Sequence, residues 1–259
     1  MDLGLSGKTA LVLGASRGLG AAVTRSLLAE GATVHAAARH IEAIENWRVA
    51  LPPDQASRLL PVRADLTQPS APADLADAMH LGVDILVNNG GGPPAGLAAT
   101  VTAAQWSEYF RTMAVSIFEL TRLLLPSMLE RGWGRIITVA SSGVVQPIPN
   151  LALSNGIRAS VLGWSKTLSA EVANRGVTVN VVLPGRIQTD RVDELDQAAA
   201  MRTGKTRDEI AASSAATIPA GRYGTPQEFG DAVAFLASTR AYYITGATLR
   251  VDGGLIRGV

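Results

Sequence analysis

Short, continuously apolar runs alternate along this chain with longer stretches in which apolar residues recur every three or four positions. The first kind predicts strands buried on both faces, the second helices laid against a core. Residues 9–15 (TALVLGA) read as a strand, and 19–32 as a helix with Leu19, Val23 and Leu27 on one face and Gly31 as its stop. The alternation continues with strand 33–38, a helix over 41–51 ended by Pro52 and Pro53, strand 58–66, a short helix over 72–81 and strand 83–89. Pro61 suits only the beginning of the third strand, because proline cannot donate to a ladder. A long helix over 102–131 follows, with Pro126 kinking or dividing it. Strand 134–141, helix 154–175 and strand 177–185 extend the series.

The rhythm then breaks. Residues 186–221 are polar, charged and alanine-rich, before a helix over 226–237 and a last strand in TLRVDGG. Strands joined by helical crossovers imply a three-layer α/β fold, a doubly wound parallel sheet in one domain spanning 1–259. In such sheets ligands bind beyond the carboxyl ends of the strands, so 186–221 reads as a lid there; a plain helical insertion on the surface is the alternative.

Composition narrows the function. The chain has 259 residues, 47% of them hydrophobic, enough for a substantial core. A net charge of +1 gives no reason to expect nucleic acid or an anionic membrane as partner. The absence of cysteine excludes thiolate catalysis, disulfides and cysteine metal sites, and no metal is expected. The start lacks a signal-peptide pattern and no apolar run approaches the ~20 residues of a membrane span, so the expectation is a cytoplasmic protein.

One motif carries chemistry. GASRGLG places Gly14, Gly18 and Gly20 between the first strand and the first helix. Glycines there permit a tight turn and a close approach of backbone to a pyrophosphate, which rests on the helix N-terminus. A Rossmann-type dinucleotide site follows. Sites for NAD carry an acid at the end of the second strand, but this chain has Ala38-Arg39-His40. Arg39 together with Arg17 would neutralise a 2′-phosphate, so NADP is expected over NAD; two solvated surface arginines are the alternative.

With GASRGLG, the ordered stretches ADL (64–66), NNGGG (88–92), GRIITVASS (134–142), RGVTVNVVLPGRIQTD (175–190) and ITGATLRVDGG (244–254) make the chain resemble the short-chain dehydrogenase/reductase family, particularly its 3-oxoacyl-carrier-protein-reductase-like members. The resemblance covers nearly the whole chain. It implies hydride transfer between NADP and a small carbonyl or alcohol substrate. It implies that Gly14, Ser16, Arg17, Gly18, Leu19 and Gly20 cradle the cofactor, with Arg39. Asp65 and Leu66 would border the adenine. Asn88, Asn89 and Gly90 would lie beside the adenosine ribose and hold the central sheet, while Pro184, Gly185, Ile187 and Thr189 would border the nicotinamide. It also implies a homo-oligomer, a dimer or tetramer built on the helices at 102–131 and 154–175.

The family's catalytic pattern is a serine, a tyrosine, a lysine one turn beyond it, and an asparagine in the preceding long helix. Here the serine position is Ser141, but the other three are Ser154, Arg158 and Met113. Ser154 and Arg158 still share a helix face at i and i+4. A serine hydroxyl is a far weaker acid than a phenol, and an arginine holds its proton. Tyr109, one turn before Met113, and Tyr223 offer no convincing replacement. The expectation is an oxidoreductase with an atypical centre of Ser141, Ser154 and Arg158; a cofactor-binding sensor, or the inert subunit of a mixed oligomer, is the alternative.

Overall fold

A computed structural model describes residues 2–80 and 82–258. Seven strands form one parallel sheet: β1 (Thr9–Leu13), β2 (Thr33–Ala38), β3 (Leu59–Arg63), β4 (Ile85–Asn88), β5 (Gly134–Val139), β6 (Val177–Pro184) and β7 (Thr248–Val251). Their order across the sheet is β3-β2-β1-β4-β5-β6-β7. The chain winds outward in both directions from β1 and β4, and a crevice opens beyond their carboxyl ends.

Helices cover both faces. On one lie α1 (Gly18–Ala29), α2 (Glu42–Arg48) and α10 (Pro226–Ala237), where Val23, Leu27, Ile44, Phe229 and Val233 pack on Val12, Val34 and Val182. On the other lie α4 (Ala71–Ala78), α6 (Ser116–Arg131) and α7 (Ala152–Val172), where Leu75, Leu120, Leu124 and Leu168 pack on Leu11, Leu86 and Val179. The three layers form a single domain of the doubly wound kind, as the alternation predicts. Leu81, the last residue of the helix predicted over 72–81, lies outside the described residues.

Several local expectations are corrected. Pro52 and Pro53 do more than stop a helix: Pro53 opens another, α3 (Pro53–Arg58), since its missing N–H falls where a helix needs no donor. Pro61 stands in the middle of β3. That strand is an edge, and the Ala64 amide bonds back to Ala38, so alternation turns the position of Pro61 away from β2. Pro126 does not divide the long helix. It sits exposed within a continuous α6, where water can satisfy the carbonyl it frees. The interruption is a π-turn at Arg111–Val115 between α5 (Ala103–Phe110) and α6, bridged by the Ser116 hydroxyl donating to the Arg111 carbonyl at 3.0 Å. Against the expectation of no such run, Ala103–Arg131 holds an 18-residue window of mean hydropathy 1.3, long and apolar enough to cross a membrane by length and composition alone. Its apolar stripe is occupied instead by the sheet, through Leu120, Leu124 and Met128.

Residues 186–221 contain two helices, α8 (Asp190–Thr203) and α9 (Arg207–Thr217). The excursion is closed at its base, where Gly224 donates to the Arg186 carbonyl at 2.9 Å and Gln188 to the Gly224 carbonyl at 2.8 Å. Asp196, 1% exposed, accepts from Arg186 (2.9 Å) and from the Tyr223 hydroxyl (2.8 Å), pinning α8 to both ends.

A capping box starts α10. Glu228 accepts from the Thr225 amide at 2.7 Å and pairs with Arg222 at 2.6 Å, and these contacts, the arginine first, pull its carboxyl down to about 2. A depressed carboxyl stabilises the fold above its ordinary range and loses that effect as pH falls through the folded value. Glu228→Gln should therefore melt earlier than the parent at neutral pH, and the gap should shrink as pH falls from about 4.5 to about 2 in thermal unfolding.

Candidate active site

The carboxyl ends of β1, β4, β5 and β6 open into one cleft of ≈ 1130 Å³, walled on its far side by α8 and α9. Each wall follows from its local sequence. After β1 the chain turns through Gly14, at φ +63°, and starts α1 at Gly18. Arg17 takes the cap position without a side-chain cap, and the first turn holds no acid. The leading amides of α1 are thus left for a ligand, at the positive end of the helix, which is the arrangement an anionic pyrophosphate fits. Gly20 lies against the Gly14 backbone, and the Asn89 amide donates to the carbonyls of Leu13 (3.2 Å) and Gly14 (3.4 Å), so the end of β4 braces the turn.

The cleft brings together Arg17, Gly18, Leu19, Asn89 and Gly90. Ser141, Ser154 and Arg158 share it with Pro184, Gly185, Ile187 and Thr189. Gly14, Ser16 and Gly20 belong to the turn but are not among the residues lining the cleft. Asn88 is fully buried and donates to Thr121 and Thr138, both at 3.4 Å, so its side chain serves the sheet and not the cleft. Leu66 packs on the core beside α4 and α6.

Arg17 does not join Arg39. It pairs with Asp190 (3.1 Å) and Glu194 (3.3 Å) of α8, bridging the glycine turn to the far wall. Arg39 stands exposed at the end of β2 with no ion-pair partner among the described residues. Hydrogen bonds from the Thr67 amide and hydroxyl, with Arg39 and His40 nearby, hold the Asp65 carboxyl below its ordinary range. Arg17 is thus committed to α8, and Arg39 stands apart from it.

Ser141 caps a short turn after β5: its Oγ accepts from the Gly143 amide at 3.1 Å. That bond fixes the oxygen and leaves the hydroxyl proton for a ligand. Ser154, 8% exposed, stands near the start of α7 on the same cleft. One turn on, Arg158 reaches under the end of β5, and its Nη1 donates to the carbonyls of Val139 (3.0 Å) and Ala140 (3.2 Å). Its Nε is closed to solvent and has no acceptor, at a cost of about 1–3 kcal/mol for such a donor. Burial, with the charge of Arg191 adding to it, pushes this guanidinium down to about 10. It stays a cation at neutral pH.

Met113 lies in the π-turn, packed on Leu153, Ile157 and Val161. Between it and Arg158 remains a gap of ≈ 10 Å³, which at most matches one water and cannot hold a relay. Tyr109 packs in the same apolar cluster, and Tyr223 is committed to Asp196; neither lines the cleft. Several cleft residues escaped the sequence reading: Arg191 and Arg202 of α8, Arg257 near the end of the chain, and Asn150 at φ +62° in the loop that Asn155 ties down through the Ile148 carbonyl at 2.9 Å. The only signal for the first two was the charged character of 186–221, where acidic and basic residues nearly balance.

Known proteins share this layout. Residues 14–256 match the family model described as enoyl-(acyl carrier protein) reductase. A 3-oxoacyl-[acyl-carrier-protein] reductase of Vibrio cholerae is 38% identical over 255 residues, covering 98% of this chain and 99% of the relative. The crystal structure of L-sorbose reductase from Gluconobacter frateurii, complexed with NADPH and L-sorbose, superposes with a TM-score of 0.93 at 30% identity over 100% of both chains. An actinorhodin polyketide ketoreductase with NADPH gives 0.89 at 31% identity, covering 96% of this chain and 97% of that one. From the glycine turn through the winding of the sheet to the last strand, the chain belongs to the short-chain dehydrogenase/reductase family.

Proposed function

We propose that the protein is an NADP(H)-dependent oxidoreductase, acting in the cytoplasm on a small carbonyl or alcohol substrate. The observation that carries this reading is the single cleft joining the uncapped start of α1 to Ser141. The NADPH complexes of the sorbose reductase and the ketoreductase support the choice of cofactor. Gly14, Ser16, Gly18, Leu19 and Gly20 would hold the pyrophosphate, Arg39 the 2′-phosphate, and Asp65 with Leu66 the adenine edge. Asn89 and Gly90 would flank the ribose, and Pro184, Gly185, Ile187 and Thr189 the nicotinamide end. Residues 186–221 would act as the lid. The family model names an enoyl reductase and the relatives 3-oxoacyl reductases, so the comparisons favour an acyl-type carbonyl without deciding the reaction.

When bound, the reduced nicotinamide supplies hydride to a carbonyl carbon. The chain's part is to manage the oxygen. The Ser141 hydroxyl donates to it, and the fixed charge of Arg158 stabilises it as it becomes negative. Ser154 orients the substrate or a water that delivers the proton, since neither it nor Arg158 is an acid at neutral pH. A positioned general acid contributes ~10²–10⁴-fold, while positioning of reactants can contribute ~7–11 kcal/mol. Loss of the family's acid therefore slows reduction without abolishing it.

A panel of ketones, aldehydes, imines and 3-oxoacyl thioesters, followed by NADPH oxidation, tests the proposal. Turnover of at least one class is expected. Tight NADPH binding with no turnover across the panel would favour the second reading, a binding subunit or sensor, which rests on Ser154, Arg158 and Met113. Phe110 and Val115, exposed on the α5–α6 helix, fit the expected homo-oligomer, for which light scattering on a sizing column should return a dimer or tetramer.

A further inference from the structure

Ser141 is held by a chain of contacts that ends on the rim of the cleft. Its Oγ accepts from the Gly143 amide at 3.1 Å. Gly143 in turn lies against the side-chain oxygen of Asn155, the residue after Ser154 on α7, so closely that a methyl group at position 143 would collide with it. The backbone at Gly143 is not left-handed, so this neighbour, and not φ, requires the glycine. Asn155 is not free to turn aside. Its Nδ2 donates to the Ile148 carbonyl at 2.9 Å, and its Oδ1 accepts from the Ile148 amide at 3.4 Å. One carboxamide thus backs the Ser141 turn and brackets the loop that follows it.

That loop, residues 146–151, lines the cleft at every position. It is exposed over 146–149, yet its conformation is fixed from several sides. Pro147 and Pro149 restrict φ. Asn150, at φ +62°, is the one non-glycine residue with left-handed backbone among the described residues, a conformation that persists only where the surroundings hold it. Gly96 supplies a second tie, donating to the Asn150 carbonyl at 2.7 Å and accepting from the Ala152 amide at 3.2 Å. Among the described residues, none of 146–151 joins a hydrophobic cluster of the core, so the order of this loop serves the cleft and not the packing.

Resting on the oxidoreductase reading, we infer that Asn155 is a positioning residue for the reaction. It acts on two parts of the site at once. Through Gly143 it keeps the Ser141 oxygen in place, and through Ile148 it keeps the 146–151 wall in the shape that receives the substrate. The wall and the serine then hold a fixed spacing, so a substrate seated on the wall presents its oxygen to Ser141. A wall that is already ordered does not have to be ordered by the substrate.

The test combines stability and kinetics on the full chain. Gly143→Ala should lower the melting temperature of the parent, because the added methyl drives Asn155 off Ile148. In an Asn155→Ala chain the same substitution should change it little, since the nearest remaining neighbour is the Ser141 Oγ at 3.4 Å. On the substrate that the carbonyl panel identifies, Asn155→Ala should raise KM about 10-fold, the worth of a hydrogen bond to the wall, and lower kcat by about 10-fold through the displaced serine. With Ser141→Ala already in place, the KM rise should persist and the kcat loss should vanish, because Asn155 then has no serine oxygen to hold. A side chain needed only for folding would lower kcat equally in both backgrounds. Additive melting shifts, an unchanged KM, or an equal kcat loss in both backgrounds overturns the inference. So does a loss confined to NADPH affinity, which would place Asn155 on the cofactor. Failure of the oxidoreductase reading looks different: NADPH does not bind or nothing in the panel turns over, while the melting cycle still reports whether Asn155 couples the Ser141 turn to the wall.

Discussion

Gly20→Ala should weaken NADPH binding by about 100-fold or more, a loss of about 2.7 kcal/mol. A methyl group at this position would collide with the Gly14 carbonyl oxygen and would come within 2.7 Å of the Gly14 carbonyl carbon and 2.8 Å of the Asn89 amide nitrogen. Two of these atoms are backbone, so no side-chain rotation relieves the contact. The turn must open, and with it the amides at the start of α1 leave the positions that a pyrophosphate needs. Gly90→Ala is the comparison. Its added methyl meets nothing within 4 Å, so the fold should melt at the parent's temperature. Fluorescence titration with NADPH, beside thermal unfolding of both variants, separates loss of the cradle from loss of the fold.

Ser141→Ala should lower kcat by ~10²–10³-fold on whichever substrate the panel identifies, because it removes a fixed donor aimed at the developing oxyanion. NADPH affinity should change little, since the role proposed for the hydroxyl is to the substrate oxygen and not to the cofactor. The substitution also removes the cap that accepts from Gly143 at 3.1 Å, a loss of about 1 kcal/mol that the domain should survive. If kcat were unchanged, the substrate oxygen would have to be held elsewhere. If NADPH binding fell as far as kcat, Ser141 would be supporting the cofactor and not the reaction.

The strands and their parallel winding were legible because each buried run is short, apolar and followed by a helical period. Residues whose role depends on distant partners were not. The Pro53 helix was hidden because a proline pair reads first as a stop, although the same residue suits a first turn. The π-turn at Arg111–Val115 leaves the apolar spacing almost unchanged, and its mark is one hydroxyl bonding five residues back. In the site, the glycine turn came from spacing and the Ser141, Ser154 and Arg158 positions from the family resemblance, and one cleft brings those three together with Gly18. The pairing of Arg17 with Asp190 joins residues 173 positions apart, so no local pattern announces it. The orphaned edge of Arg158 likewise appears only when β5 is laid over α7.

Equilibrium titration of the purified protein with NADPH and, separately, NADH tests the central claim most directly. Saturable NADPH binding is expected in the ~1 μM–1 mM range usual for enzyme ligands, tighter than NADH, with the difference reduced in Arg39→Ala. No binding of either nucleotide at millimolar concentration would contradict the account.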